Sequence, residues 1–125
     1  MQIVGTIDLS KLKSIFDDIT TNEVVMTNNR VAHILEKHPG DYEKHSEYVQ
    51  DILENPDYII EANRPNSAVF LKELTDIEAK IQIILRFNTS SDPPEYKNSI
   101  ITLMKIRDKE WRRLLKNKKF LYKST

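Results

Sequence analysis

The spacing of apolar residues changes once along this chain, and that change limits its fold more than any other feature. Up to about residue 54 the apolar side chains recur mainly at helical spacing. From Tyr58 onward they gather in four blocks, Tyr58 to Asn63, Ser67 to Leu74, Ala79 to Asn88 and Ser99 to Arg107. Each block is rich in Ile, Val, Phe or Leu and is bounded by turn residues such as Arg64-Pro65-Asn66 or Thr75-Asp76, as strands joined by hairpins are. The longest break between blocks is the loop Thr89 to Lys97.

The first part of the chain supplies the helices. Gln2 to Asp8 alternates like a short strand, and Leu9 to Asp18 places Leu9, Leu12, Ile15 and Phe16 at helical spacing. Glu23 to Met26 reads as a brief extended piece. Thr27 is the N-cap of a helix to about Lys37, stopped by Pro39 and Gly40. Asp41 caps a second helix to about Glu54, which Asn55-Pro56 ends. Asp108 caps a last helix to about Lys116, and Phe120 to Tyr122 docks as a final strand or tail. The expectation is one α+β domain, with N-terminal helices on one face of an antiparallel sheet of about four strands and a C-terminal helix after it.

Composition removes whole classes of function. With 125 residues the chain is long enough for one core. It has no cysteine, which excludes disulfide frameworks, thiol nucleophiles and Cys-type zinc sites. Its two glycines, Gly5 and Gly40, are not clustered, so phosphate-cradling loops are excluded and no nucleotide cofactor is expected. No apolar run approaches the roughly 20 residues of a membrane span, and Met1 to Ser10 does not read as a signal peptide, so a cytoplasmic protein without membrane contact is expected.

The formal net charge is zero, yet charge is sorted along the chain. Glu36 to Glu61 carries eight acids against two lysines, and Lys105 to Lys123 carries nine bases against two acids. The basic segment is interleaved with Trp111, Phe120 and Tyr122, a pattern that follows a phosphate backbone or, more plainly, a solvated helix anchored by its aromatics.

All three histidines, His33, His38 and His45, fall in one short stretch. Histidine exchanges protons near neutral pH, so a cluster invites acid–base chemistry. His33 and His38 are five residues apart, about 140° around a helix, which does not suit a shared metal ion. On the helical wheel His38 follows the Val31, Ile34, Leu35 stripe, while His33 lies nearly opposite, alongside Arg30 and Lys37, toward solvent or a groove rim. Pro39 disfavours helical backbone at His38, which lets that residue leave the wheel. His45, between Lys44 and Ser46, reads as part of a polar helix surface.

RNA can be cleaved without a metal by a base for the 2′-hydroxyl, an acid for the leaving 5′-oxygen, and cations or hydroxyls around the phosphorane. Histidine, arginine and threonine supply all of these. Arg86 shares a strand face with Ile84 and Gln82, so its charge either sits at a sheet edge or binds an anion. Thr102 and Ser99, in the last strand block, are hydroxyl candidates.

Four strings in order carry a family resemblance: Arg30-Val31-Ala32-His33-Ile34-Leu35-Glu36-Lys37-His38-Pro39, Glu54-Asn55-Pro56-Asp57-Tyr58, Asn98-Ser99-Ile100-Ile101-Thr102, and Asn117-Lys118-Lys119-Phe120-Leu121-Tyr122. Together they resemble the phage-associated domains of the barnase/EndoU/colicin/RelE-like nucleases. The resemblance covers Glu23 to Lys123 and leaves residues 1–22 as an N-terminal strand-and-helix extension of one compact unit. It implies a metal-independent endoribonuclease that leaves a 2′,3′-cyclic phosphate and serves as a toxin or as a phage or mobile-element effector. Its implied partners are RNA and an immunity or antitoxin protein. Carried over by position, His33, His38 and Thr102 are the catalytic candidates and Arg30 and Ser99 bind substrate, with Arg86 added on its strand position. A non-catalytic module binding RNA or protein, and a phage structural or assembly part on the same fold, are the alternatives.

Overall fold

The structure, a computed structural model, describes residues 2–12, 16, 18–37, 40 and 45–124. Seven strands form one sheet: β1 (Gln2–Thr6), β2 (Glu23–Met26), β3 (Tyr58–Glu61), β4 (Ser67–Leu74), β5 (Ala79–Arg86), β6 (Asn98–Ile106) and β7 (Phe120–Lys123). Their spatial order is β1-β2-β6-β5-β4-β3-β7. The four expected strand blocks are its centre, β3 to β6, paired antiparallel in sequence order. The sheet is wider than the expected four strands because β1, β2 and β7 extend it at both edges, and it is mixed because β2 lies parallel to β6.

Three helices are described, α1 (Asn28–Lys37), α2 (Val49–Glu54) and α3 (Asp108–Asn117). They do not share one face. Ile34 of α1 and Val49, Ile52 and Leu53 of α2 pack with Phe70, Ile81, Ile83, Leu85 and Leu103. Trp111 and Leu114 of α3 pack on the opposite side, with Ile60, Val69, Leu71 and Ile106. The reason lies in β4, where Ser67 to Leu71 are all buried; a strand without polar alternation must be covered on both faces.

Local expectations are corrected in the same physical terms. Within Leu9 to Asp18, the described residues hold a 3₁₀ turn, Leu9–Lys11, whose cap is Asp8: its carboxylate accepts the Ser10 N–H at 3.0 Å. Phe16 N–H donates to the Leu12 carbonyl at 2.8 Å. Asp41 lies outside the described residues; the segment after it enters α2 through a second 3₁₀ turn, Ser46–Tyr48. Asp108 does not cap α3, because it is the first helical residue and its carboxylate accepts from Lys80 Nζ at 2.9 Å. No described helix is long and apolar enough to cross a membrane.

Candidate active site

A buried asparagine sets the position of the first wall of the site. Asn98 is fully buried; its Oδ1 accepts the Asn88 N–H at 2.8 Å, and its Nδ2 donates to the carbonyls of Thr21 at 2.8 Å and Glu23 at 3.0 Å. These bonds fix β2 beside β6, but only through Val24 opposite Asn98 and Val25 opposite Ser99. Beyond that point α1 takes the place of β2 along β6. Thr27 starts the helix as expected, its hydroxyl accepting the Arg30 N–H at 3.2 Å. Ile34 is the buried anchor of α1, while half-buried Arg30 and exposed His33 face a cleft.

The cleft has a volume of about 460 Å³ and lies on the α3 side of the sheet. Its floor includes Gln82 and Ile84 of β5 and Thr102 of β6, directly opposite Ile84. The β3–β4 turn brings in Arg64, and α3 forms the far wall with Glu110 and Arg113. Trp111 seats that helix on the sheet, edge-on to Tyr58 with ring centroids 5.9 Å apart.

Cations outnumber acids here despite the neutral chain. Arg30, Arg64, Arg113 and Lys118 line the cleft together with Glu61 and Glu110. Arg113 makes two bonds to Glu110, each 2.7 Å, and this pairing holds the Glu110 carboxyl below its usual range. Lys118 Nζ donates to Asn63 Oδ1 at 2.6 Å. Arg30 and Arg64 make no ion pair with another described residue, so both guanidinium groups are available to an anion. Among the described residues no cluster of three metal-ligating side chains occurs.

The structure therefore brings together three of the six candidates, Arg30, His33 and Thr102. His38 lies outside the described residues. Arg86 and Ser99 are directly opposite each other on the same face, one pleat beyond Ile84, and are not among the residues lining the cleft. The Arg86 guanidinium turns into the loop instead. It forms a two-bond pair with Asp92, each bond 3.2 Å, and donates to the Phe87 carbonyl. Asp92 also accepts the Thr89 N–H at 2.8 Å, and these contacts, the Arg86 bonds foremost, hold its pKa at about 2. His45 is buried rather than on a polar surface, and its Nδ1 has no hydrogen-bond partner among the described residues. Sequence reasoning missed Arg64 and Gln82; the one available signal for Gln82 was a polar side chain alternating with Ile81 and Ile83 in an interior strand.

The comparison with known families identifies this α+β fold as a nuclease domain. Over residues 1–123 the chain matches the family model of the phage-Barnase-EndoU-ColicinE5/D-RelE like nuclease2 domain, PBECR2. It belongs to that family. The match takes in residues 1–22, whose strand β1 pairs with β2 in the sheet. No curated protein and no solved structure matches the chain.

Proposed function

We propose that this nuclease domain is a metal-independent endoribonuclease and that the cleft between α1, β6 and α3 is its active site. The observation that carries the reading is the meeting of His33, Arg30 and Thr102 in one concave, cation-rich surface. In the proposed step the 2′-oxygen of the substrate attacks the adjacent phosphorus as its proton passes to a base. The phosphorus–5′-oxygen bond breaks as an acid protonates the leaving oxygen, and a 2′,3′-cyclic phosphate remains. His33 takes one of these proton-transfer roles and His38 the other. Arg30, with Arg64 across the cleft, balances the charge that builds on the phosphorane, and the Thr102 hydroxyl donates to a non-bridging oxygen. The substrate is RNA, and an immunity or antitoxin protein is the second partner of a domain acting as a phage or mobile-element effector.

Arg86 is left out of this scheme because it is committed to Asp92, and Ser99 because it is not among the residues lining the cleft. The test is cleavage of RNA in EDTA by the wild-type protein, His33→Ala and His38→Ala. The two variants are expected to lose at least about a hundredfold in rate. Equal rates for all three proteins reject the assignment.

A further inference from the structure

A second hollow of about 450 Å³ continues the cleft along β6. The two share Gln82, Glu110 and Arg113, so they adjoin. The floor of the second hollow is Met104 and Ile106, which follow Thr102 on the same strand face at steps of about 7 Å. Around that apolar floor stand Arg107, Lys109 and Arg113, against the single acid Glu110, which Arg113 already binds.

Asp108 lies between Arg107 and Lys109 in sequence and would cancel part of this charge. Its carboxylate is drawn away to Lys80, at 2.9 Å, which also holds it below its usual pKa. Arg107 and Lys109 make no ion pair with another described residue. An apolar floor one and two pleats from the Thr102 hydroxyl, flanked by Arg107 and Lys109, suits a flat heterocycle with its sugar and phosphate.

We infer that the second hollow is a subsite for the nucleotide next to the one being cleaved, so that the protein favours RNA chains longer than a dinucleotide. The inference rests on the nuclease reading for its place in the reaction, but binding tests it independently. The probes are 2′-O-methyl RNA oligomers, which lack the attacking hydroxyl, and their binding is followed by fluorescence anisotropy across a salt series. The wild-type protein is expected to bind a hexanucleotide at least about tenfold more tightly than a dinucleotide. The double variant Arg107→Glu with Lys109→Glu, both exposed positions, is expected to lose most of that advantage. It is also expected to flatten the salt dependence by more than one logarithmic unit per decade of salt, since each phosphate contact in a single strand contributes about 0.7.

Equal affinity for both lengths in the wild type overturns the inference, as does an undiminished length advantage in a double variant whose circular dichroism is native. An acidic hexapeptide that competes as well as the hexanucleotide also overturns it. Unmodified RNA separates the two claims. Cleavage without a length preference in binding leaves the nuclease reading standing and removes the subsite. A length preference that the double variant abolishes, without cleavage, keeps the subsite and removes the nuclease reading.

Discussion

Ser99 and Thr102 stand three residues apart on β6 yet face the same side of the sheet. Arg86 lies opposite Ser99 and Ile84 opposite Thr102, and Arg86 and Ile84 are two residues apart on β5. The parity is restored by a β-bulge: the ladder runs from Leu85 opposite Ile100 directly to Ile84 opposite Thr102, leaving Ile101 as the extra residue. Ile101 itself lines the cleft beside Thr102. The irregularity thus turns the hydroxyl toward the α3 side while Leu103 stays in the core of the other face.

Thr102→Val keeps the shape and strand preference of the residue and removes only its hydroxyl. If that hydroxyl donates to the phosphorane, kcat falls about a hundredfold with KM little changed, and Thr102→Ser recovers most of the loss. Single-turnover cleavage with thermal unfolding as a control checks this. A wild-type kcat in Thr102→Val removes the residue from the mechanism.

Asn98→Ala leaves the Asn88 N–H and the carbonyls of Thr21 and Glu23 without their buried partner. The expected loss is about 3 kcal/mol, read as a lower urea midpoint with an unaltered slope. The parallel junction of β2 with β6 is the place where hydrogen-exchange protection should fall first.

Ile34→Ala removes the buried anchor of α1, for an expected loss of about 3 kcal/mol. Activity falls further than the folded fraction does, because Arg30 and His33 ride on the same helix. Comparing kcat/KM with the fraction folded at one temperature measures that excess, and strict proportionality would sink the positioning argument.

Low pH releases the loop that Asp92 holds. The Asp92 pKa in the folded chain is about 2, below its ordinary value of 3.8. A depressed carboxylate contributes stability that is fully present above the ordinary value and is lost as pH falls through the folded one. Between about pH 4 and pH 2 the Thr89 amide, which donates to Asp92, is therefore expected to lose its exchange protection. In Asp92→Asn that protection is already weak at pH 5, and it does not titrate in this window.

How much of this the residues foretold depends on the range of the interactions involved. Blocks such as Ser67 to Leu74 declare themselves as strands because β-branched residues and turn signals are local. Sheet order is not local: Val24 meets Asn98 only through a buried side chain that satisfies three backbone groups, and no periodicity encodes that. The run Ala68 to Leu71, which lacks polar alternation, carried the sign of a strand covered on both faces, yet the expectation set the helices on one face, and the structure corrects it.

In the site, the wheel separated His33 from the buried Ile34, and the structure has His33 lining the cleft. Arg86 does lie on the face its strand position indicated. Its guanidinium goes to Asp92 because the fold of the loop, rather than the strand pattern, decides which anion is nearest. His45 is buried among chain segments that its polar sequence neighbours do not reveal.

The replacement of β2 by α1 along β6 has a consequence for how activity arises. One rim of the groove comes from residues 28–37 and the other from residues 108–117, and neither has any concavity until the whole sheet stands between them. A chain interrupted before its last helix, or one whose early and late strands have not yet met, presents those side chains on separate, open surfaces. Competence to act on a substrate is then an all-or-none property of the finished molecule.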